Sequence, residues 1–247
     1  MQQYGLVGYP LKHSFSQRFF TDKFRQEQID AVYRNFEIAD IALLPGIIRE
    51  NPDLSGLNVT IPYKEVVMPY LDNISPDAAA IGAINVIKIE WTDGKPYLTG
   101  YNSDVIGFQY SISPLLNPQI HHKALILGTG GASKAVRQGL LNLGIEATYV
   151  SRKRKDNVLA YEDLSGQVMR EHTVIVNCTP LGTFPDVDTA PDIPYNLLTT
   201  NHLLYDLVYN PAETKFLRLG KEQGATVKNG YEMLELQALA AWDIWNS

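Results

Sequence analysis

The order of apolar and polar positions predicts an alternation of short strands and helices along most of the chain. Runs of branched and aromatic residues indicate strands, and apolar residues repeating every three or four positions indicate helices. The predicted strands cover residues 4–8, 32–38, 57–61, 82–87, 123–127, 147–151, 173–177, 203–209 and 225–228. The predicted helices cover residues 15–24, 41–49, 76–81, 105–108, 132–143, 214–222 and 231–245.

The second half of the chain repeats strand and helix in regular succession from residue 123 onward. Such repeats join parallel strands through helical crossovers, so we expect a doubly wound parallel sheet. Ligands of such sheets bind at the carboxyl ends of the strands. In the first half, the pair Asp93-Gly94 carries the signal of a tight hairpin, whose returning strand ends at Gly100.

Length, charge and cysteine content exclude several classes of protein and of binding site. The 247 residues, of which 45% are hydrophobic, suffice for one large or two medium domains. The net charge of -6 argues against a general nucleic-acid or anionic-membrane surface. The single cysteine, Cys178, excludes an intrachain disulfide and a multi-cysteine metal site, and we expect it to pack as a small apolar residue. Without a long apolar run or a signal peptide, we expect a cytoplasmic protein with no membrane or nucleic-acid partner.

Several polar groups converge in residues 57–64. Leu57, Val59 and Ile61 alternate with Asn58 and Thr60, and a proline and Lys64 follow. This pattern has two interpretations. It is an ordinary strand with one solvated face, or it is a binding wall that points an amide, a hydroxyl and an ammonium group into one volume.

Five other polar residues lie at positions where either structure or binding explains them. Ser14 and Ser16 begin a helix, and since only one of them can cap it, the other hydroxyl is available to a ligand. Asn85 interrupts an apolar run and either ties down a loop or meets a polar ligand. Asp104 either caps the next helix or takes part in chemistry. Gln237, on the packed side of the last helix, either faces a polar target or is partly exposed.

A glycine-rich loop joins the strand at 123–127 to the helix behind it. The loop reads Gly128-Thr129-Gly130-Gly131-Ala132-Ser133. Strand, glycine loop and helix together bring backbone amides and a helix N-terminus against a pyrophosphate. Ser133 stands where the dinucleotide fingerprint has its third glycine, so the glycine pattern alone is weak. The flanking strand and helix favour dinucleotide binding over a plain tight turn.

The next strand ends in a basic segment, Ser151-Arg152-Lys153-Arg154-Lys155. An NAD site usually places an acidic residue here for the ribose 2′-hydroxyl. Cations instead pair with a 2′-phosphate, so the segment predicts NADP as the cofactor, the alternative being a solvated basic loop.

Taken together, these motifs resemble the shikimate dehydrogenase family, and the resemblance runs over essentially the whole chain. The family's Asn-Val-Thr-x-Pro-x-Lys motif stands at residues 58–64 and its Gly-Ala-x-Asn motif at 82–85. Its Asn-Thr-Asp motif stands at 102–104, with Ser103 in place of threonine. The paired serines, the glycine loop and the segments 177–182, 206–211 and 230–237 match in the same order.

The resemblance implies reversible reduction of 3-dehydroshikimate to shikimate by NADPH, in aromatic amino-acid biosynthesis, with no metal. It implies Lys64 and Asp104 as the catalytic pair. The implied substrate-binding residues are Ser14, Ser16, Asn58, Thr60, Lys64, Asn85, Asp104, Tyr209 and Gln237. The implied cofactor-binding residues are Gly128, Thr129, Gly130, Gly131, Ala132, Ser133, Ser151, Arg152, Lys153, Arg154, Lys155, Thr179, Leu207 and Gly230.

The same resemblance implies an α/β fold of two domains. A substrate domain with a mixed sheet would cover residues 1–104 and be joined by the helix at 231–247, and a Rossmann-like NADP domain would cover 105–230, with the reaction in the cleft between them. The expected state is a monomer or homodimer. Two alternatives stay open: a dehydrogenase that uses quinate as well as shikimate, or NAD, and a non-catalytic NADP-binding sensor.

Overall fold

Two six-stranded sheets organise the protein in the computed structural model, which describes residues 1–11 and 14–247. The strands are β1 (Gln2–Gly8), β2 (Ala31–Glu37), β3 (Leu54–Val59), β4 (Asn73–Ile74), β5 (Val86–Thr92), β6 (Lys95–Tyr101), β7 (Lys123–Leu127), β8 (Glu146–Ser151), β9 (Val158–Ala160), β10 (Val174–Asn177), β11 (Leu203–Asp206) and β12 (Thr226–Lys228). The helices are α1 (Phe15–Gln26), α2 (Leu44–Glu50), α3 (Pro76–Ile81), α4 (Asp104–Ile112), α5 (Gly131–Asn142), α6 (Gly166–Glu171), α7 (Lys215–Glu222) and α8 (Tyr231–Asn246).

The chain divides into two units, each with its own sheet. The first unit comprises Met1–Ser103 and Gln237–Ser247, and the second comprises Asp104–Leu236. The last helix, α8, therefore contributes residues to both units. Within the described ranges, none of the helices has the length and apolar character needed to span a bilayer.

The sheet of the first unit is mixed, as expected. Its strand order is β2-β1-β3-β5-β6-β4. The strand β1 pairs in parallel with β2 and β3, whereas β5 pairs antiparallel with β3 and β6. The hairpin between β5 and β6 turns at Asp93 and Gly94, both with positive φ, which confirms the turn predicted there.

Apolar side chains cover both faces of this first sheet. On one face, Leu57 and Val59 of β3 pack into a cluster with Leu44 and Ile48 of α2. On the other face, an aromatic cluster joins β1, α1 and the end of α8. The strand β3 is consequently buried on both sides, and a half-exposed strand is the wrong interpretation of residues 57–59.

The sheet of the second unit is entirely parallel, with the order β12-β11-β10-β7-β8-β9. Counted from β7, this is the order 3-2-1-4-5-6 of a dinucleotide-binding sheet. Side chains of β7 alternate between two apolar clusters, Ala124 and Ile126 facing one and Leu125 and Leu127 the other. The predicted doubly wound fold is confirmed, and its topological switch point lies between β7 and β10.

Some predicted element boundaries are wrong. The strand predicted at 82–87 begins at Val86, because Gly82 ends α3 in the left-handed region with a φ of 70° and the chain must then turn. The strand predicted at 57–61 ends at Val59, and Ile61 is exposed. The strand predicted at 203–209 ends at Asp206. The pattern also missed β4, β9 and α6, which are two to six residues long.

Candidate functional site

In the first unit, the amide of Asn58 lies in the interior of the protein. Its side chain oxygen accepts a hydrogen bond from the hydroxyl of Tyr33 at 2.7 Å, and its nitrogen donates to the backbone carbonyl of Asn85 at 3.4 Å. Tyr33 is itself buried and stacks on Phe20 with ring centroids 4.8 Å apart. The orientation of the Asn58 amide is therefore set by Tyr33 of β2, which lies on the far side of β1, and by the backbone just before β5.

A second amide pair continues this polar cluster. Asn85 donates from Nδ2 to the hydroxyl of Ser103 at 2.9 Å and accepts from the Ser103 backbone N–H at 2.6 Å. The Ser103 hydroxyl approaches Oε1 of Gln237 at 3.4 Å. Asn85 thus ties down the segment before α4, which confirms one of the two predicted roles. Gln237 is 8% exposed, so the partly exposed alternative is wrong.

Asn58, Asn85 and Gln237 lie in one polar cluster, which also contains two residues that the sequence did not mark as part of the site. These are Tyr33 and Ser103. Tyr33 sits in a strand without any flanking motif, so no local signal marks it. Ser103 was visible as a departure from a family motif, which is the one signal that could have pointed to it.

Thr60 and Lys64 lie in the turn that follows β3. The N–H of Thr60 donates to the carbonyl of Val7 at 2.9 Å, which keeps the turn against β1. The carbonyl of Lys64 accepts from the N–H of Ile84 at 2.6 Å. Between them, the hydroxyl of buried Tyr63 donates to the carbonyl of Ile38 at 2.6 Å. The backbone that carries Lys64 is therefore held on two sides.

The two serines have different roles at the start of α1. Ser14 is the N-cap, and its hydroxyl accepts from the N–H of Gln17 at 3.1 Å, which confirms capping by one of the pair. Ser16 lies in the first turn and hydrogen bonds to Tyr33. Burial raises the pKa of Tyr33 well above its ordinary value, and the bond from Ser16 opposes that shift. Ser16 and Asn58 thus share the Tyr33 hydroxyl as a partner.

Asp104 is the first residue of α4 and is buried. A carboxylate in the first turn of a helix is stabilised by the partial positive charge of that end. It belongs to the second unit, directly after Ser103 in the chain.

In the second unit, the glycine loop follows β7 as predicted. Gly128 has a φ of 100°, a conformation that favours glycine, and its N–H donates to the carbonyl of Val150 at 2.8 Å. A Cβ at Gly128 would lie 3.1 Å from Cγ2 of Thr179, so the loops after β7 and β10 touch at the switch point. Thr179 is thereby placed against the glycine loop.

The N-terminus of α5 has the features of a phosphate cradle. Gly130 is its N-cap residue, and a Cβ there would meet no atom within 4 Å, so the space beside this residue is open. The first amides of a helix N-terminus are suited to bind a phosphate. The hydroxyl of Ser133 is turned back to the carbonyl of Gly130 at 2.6 Å, and the residue is buried. Serine therefore fits where the fingerprint has glycine, because its side chain bonds within the turn. Thr129, Gly131 and Ala132 complete the loop.

The four cations of the basic segment are not equivalent. All four side chains are exposed, but Arg154 is paired with Asp163, whose Oδ2 lies 3.0 Å from Nε. The hydroxyl of Ser151 donates to the carbonyl of Lys153 at 2.6 Å and shapes the turn. Arg152, Lys153 and Lys155 remain as the cations without such a carboxylate partner in the described residues.

The loops after β11 and β12 carry the remaining predicted residues of this unit. A Cβ at Gly230 would collide with the backbone carbonyl of Leu207, so only glycine permits this contact. Tyr209 lies three residues past β11 with its side chain exposed. Burial raises the pKa of the Cys178 thiol, and the residue packs in an apolar cluster as expected.

Sequence reasoning also left two buried polar residues of this unit out of the site, Asn177 and Asp206. Their signal was present, since each is the polar last residue of an otherwise apolar strand. Within the described residues, no group of three or more His, Cys, Asp or Glu side chains is arranged to hold a metal ion.

Comparison with known proteins identifies the family. Residues 6–87 match the family model of the shikimate dehydrogenase substrate binding domain. The chain is 40% identical over 261 residues to the shikimate dehydrogenase (NADP(+)) of Clostridium beijerinckii, covering 99% of this chain and 92% of that protein.

Solved structures agree over the whole chain. Shikimate dehydrogenase 1 of Peptoclostridium difficile has 39% identity and a TM-score of 0.83, covering 100% of this chain and 92% of that one. The shikimate 5-dehydrogenase of Thermus thermophilus, in complex with NADP(H) and shikimate, has 30% identity and a TM-score of 0.85, covering 99% and 93%. This chain belongs to the shikimate dehydrogenase family.

Proposed function

We propose that this protein catalyses the reversible reduction of 3-dehydroshikimate to shikimate with NADPH. The observation that carries the proposal is that the family relationship spans both sheets at 40% identity, so the substrate unit and the dinucleotide unit come from the same kind of enzyme. The substrate is an anionic polyhydroxylated ring, which requires donors for a carboxylate and oriented polar groups for hydroxyls.

The proposed substrate groups lie in the first unit. Ser14 and Ser16 would bind the carboxylate, while Thr60, Asn85 and Gln237 would bind hydroxyls. In support, the amides of Asn85 and Gln237 are already oriented by Ser103, so their ordering costs little upon binding. Asn58, whose amide is oriented by Tyr33, would support the same wall.

Lys64 would act on the reacting oxygen. Hydride addition to a ketone develops negative charge on that oxygen, and an ammonium group stabilises the charge and supplies the proton. The backbone on both sides of Lys64 is hydrogen bonded, which limits the positions open to its side chain. Asp104 would be its carboxylate partner, since an opposite charge keeps a lysine protonated.

The second unit would bind the cofactor, which supplies the hydride. The pyrophosphate fits the open N-terminus of α5 and the glycine loop at residues 128–133. Arg152 and Lys153 would pair with the 2′-phosphate, whereas Arg154 already has Asp163 as its partner. Thr179, Leu207 and Gly230 would border the cofactor, and Tyr209 would line the substrate side.

Initial rates with shikimate or quinate, each with NADP or NAD, test the proposal. We expect the fastest turnover with shikimate and NADP. Faster turnover of quinate with NAD would contradict the choice of substrate and cofactor. Absence of turnover with all four combinations, together with tight NADP binding, would favour the sensor alternative.

A further inference from the structure

Two neighbouring strands of the parallel sheet each end in a fully buried polar residue. Asn177 is the last residue of β10, Asp206 is the last residue of β11, and the two are paired in register. Both are 0% exposed. Burial of a carboxylate is unfavourable unless hydrogen bonds compensate for the lost water, so this residue needs an explanation.

The Asp206 carboxylate accepts three hydrogen bonds from neutral donors. Its Oδ1 accepts from Nδ2 of Asn177 at 2.9 Å and from the N–H of Val208 at 3.0 Å. Its Oδ2 accepts from the hydroxyl of Thr214 at 2.5 Å. Burial raises the pKa of Asp206 to about 6, although the three hydrogen bonds act to lower it. The group is therefore ionised at neutral pH.

Through Asn177, the hydrogen bonds of Asp206 continue to the glycine loop. Because Asn177 gives its nitrogen to the carboxylate, its oxygen faces Thr179 and accepts from both the N–H at 3.0 Å and the hydroxyl at 2.6 Å. A flipped amide would set its oxygen against the carboxylate and its nitrogen against the Thr179 N–H, losing the bonds to both groups. Asp206 thus determines the placement of Thr179, whose methyl group packs against Gly128.

Through Val208, the hydrogen bonds of Asp206 continue to Gly230. The bond from the Val208 N–H to Asp206 fixes the turn after β11. In that turn, the carbonyl of Val208 accepts from the N–H of Gly230 at 3.2 Å, and the carbonyl of Leu207 lies against the Cα of Gly230. One carboxylate therefore organises loops at the ends of β10 and β11.

We propose that Asp206 is a positioning residue for the cofactor, holding the Thr179 loop and the Leu207–Gly230 contact in the arrangement that binds NADP. The inference rests on the proposed function, because it assumes that these loops border the dinucleotide. Asp206 does not touch the cofactor in this account, and acts through Asn177 and Val208.

The variant Asp206→Asn keeps the shape and removes the charge. We expect it to raise the KM and Kd for NADPH about tenfold, the scale of one charge-assisted hydrogen bond, and to leave the KM for 3-dehydroshikimate within about twofold. The matched control is Ser111→Ala, which removes a buried hydrogen bond to Tyr205 in the same unit. We expect this control to lose stability and to keep its KM for NADPH.

A second variant, Asn177→Asp, gives a result that a merely structural role would not produce. It sets two carboxylates side by side, which repel when both are ionised, and which at lower pH share one proton and restore the original donor and acceptor pattern. Because the second carboxylate raises the pKa of the pair above that of Asp206 alone, we expect weak NADPH binding at alkaline pH and recovery as the pH falls and the pair takes up its proton. The titratable groups whose charge couples to Asp206 are Cys178 and Tyr195, and burial raises the pKa of both, so neither ionises in this range.

The comparison is made with the wild-type protein at each pH, since the 2′-phosphate of NADPH and Asp206 of the wild-type protein both titrate near pH 6. Recovery of Asn177→Asp relative to wild type supports the inference. The inference is overturned if both variants keep the wild-type Kd for NADPH, or if the Ser111→Ala control raises it as much. Absence of 3-dehydroshikimate reduction by the wild-type protein would instead overturn the proposed function, which the same assay records separately.

Discussion

Lys64 is the side chain on which the proposed chemistry most depends. Its backbone is hydrogen bonded to Ile84, and the preceding Tyr63 is anchored in the core. We expect Lys64→Ala to lower kcat about 100-fold or more, the scale of a positioned proton-transfer group, with a milder loss of substrate binding. Steady-state kinetics of the purified variant measure both quantities.

The control for this variant is Lys95→Ala, which removes an exposed lysine from the hairpin of the same unit. It should retain wild-type turnover. If Lys64→Ala turned over as fast as the control, the catalytic role assigned to Lys64 would be wrong. If Lys64→Ala is slow, a pH profile of kcat for the wild-type protein distinguishes proton donation by Lys64 from a fixed charge.

The raised pKa of Asp206 leads to a separate prediction about the stability of the fold. Its pKa in the folded protein, about 6, lies above its ordinary value of 3.8. Between these values the folded state holds more protons than the unfolded state, so the free energy of unfolding falls as pH rises through this window. The cumulative effect at pH 7 is about 3 kcal/mol.

The variant Asp206→Asn does not titrate and should escape this loss. We therefore expect its free energy of unfolding, relative to wild type, to rise by roughly 2 to 3 kcal/mol between pH 4 and pH 7. Urea denaturation at both pH values measures the difference. For Ser111→Ala the difference from wild type should stay constant, and a constant difference for Asp206→Asn would contradict the raised pKa.

At the scale of elements, the basic segment after β8 offers a matched pair of arginines. Arg152 has no carboxylate partner in the described residues, whereas Arg154 is paired with Asp163. We expect Arg152→Ala to raise the KM for NADPH about tenfold and to change the KM for NADH little, because only NADPH carries the 2′-phosphate. Arg154→Ala should change the KM for NADPH by less than about threefold.

The ratio of KM values for NADPH and NADH, measured for both variants, decides this prediction. Equal effects of the two substitutions on NADPH would show that the ion pair with Asp163 gives way when the cofactor binds. An unchanged ratio in Arg152→Ala would assign the 2′-phosphate to Lys153 or Lys155.

Elements whose own sequence shows a strong pattern with clear limits are predictable. Elements whose limits or burial depend on a neighbouring element are not. The strand at 123–127 was predicted with its observed limits, because an apolar run is bounded by a glycine loop. The strand predicted from Gly82 begins at Val86, because the glycine caps the helix before it. In β3, alternation indicated one buried face, but α2 and the aromatic cluster cover both.

At the scale of the whole molecule, the end of the chain completes the first unit. The indole of Trp245 lies within 4.8 Å of the Tyr4 ring and 5.2 Å of the Phe20 ring, measured between centroids. Its Nε1 donates to the carbonyl of Ile87 at 3.1 Å, and it covers Gly56 so closely that a Cβ there would collide with it. Residues far apart in sequence therefore share one core.

We expect Trp245→Ala to lower the free energy of unfolding by about 3 to 5 kcal/mol, the usual cost of removing a large buried aromatic side chain. Urea denaturation followed by circular dichroism measures it. The control is Tyr97→Ala, which removes an exposed aromatic ring from β6 and should cost less than about 1 kcal/mol. A comparable loss in both variants would mean that the end of α8 contributes little to the core.

The sequence by itself determined the succession of elements, the glycine loop after β7, the basic segment and the family. These features depend on residues close together in the chain, where periodicity and turn chemistry act. The tertiary structure alone decided which polar side chains meet. Tyr33 reaches Asn58 across 25 residues and Ser103 reaches Gln237 across 134, and Asp206 becomes a buried acceptor because β10 and β11 are neighbours. Such contacts depend on strand order and helix packing, which no local pattern contains.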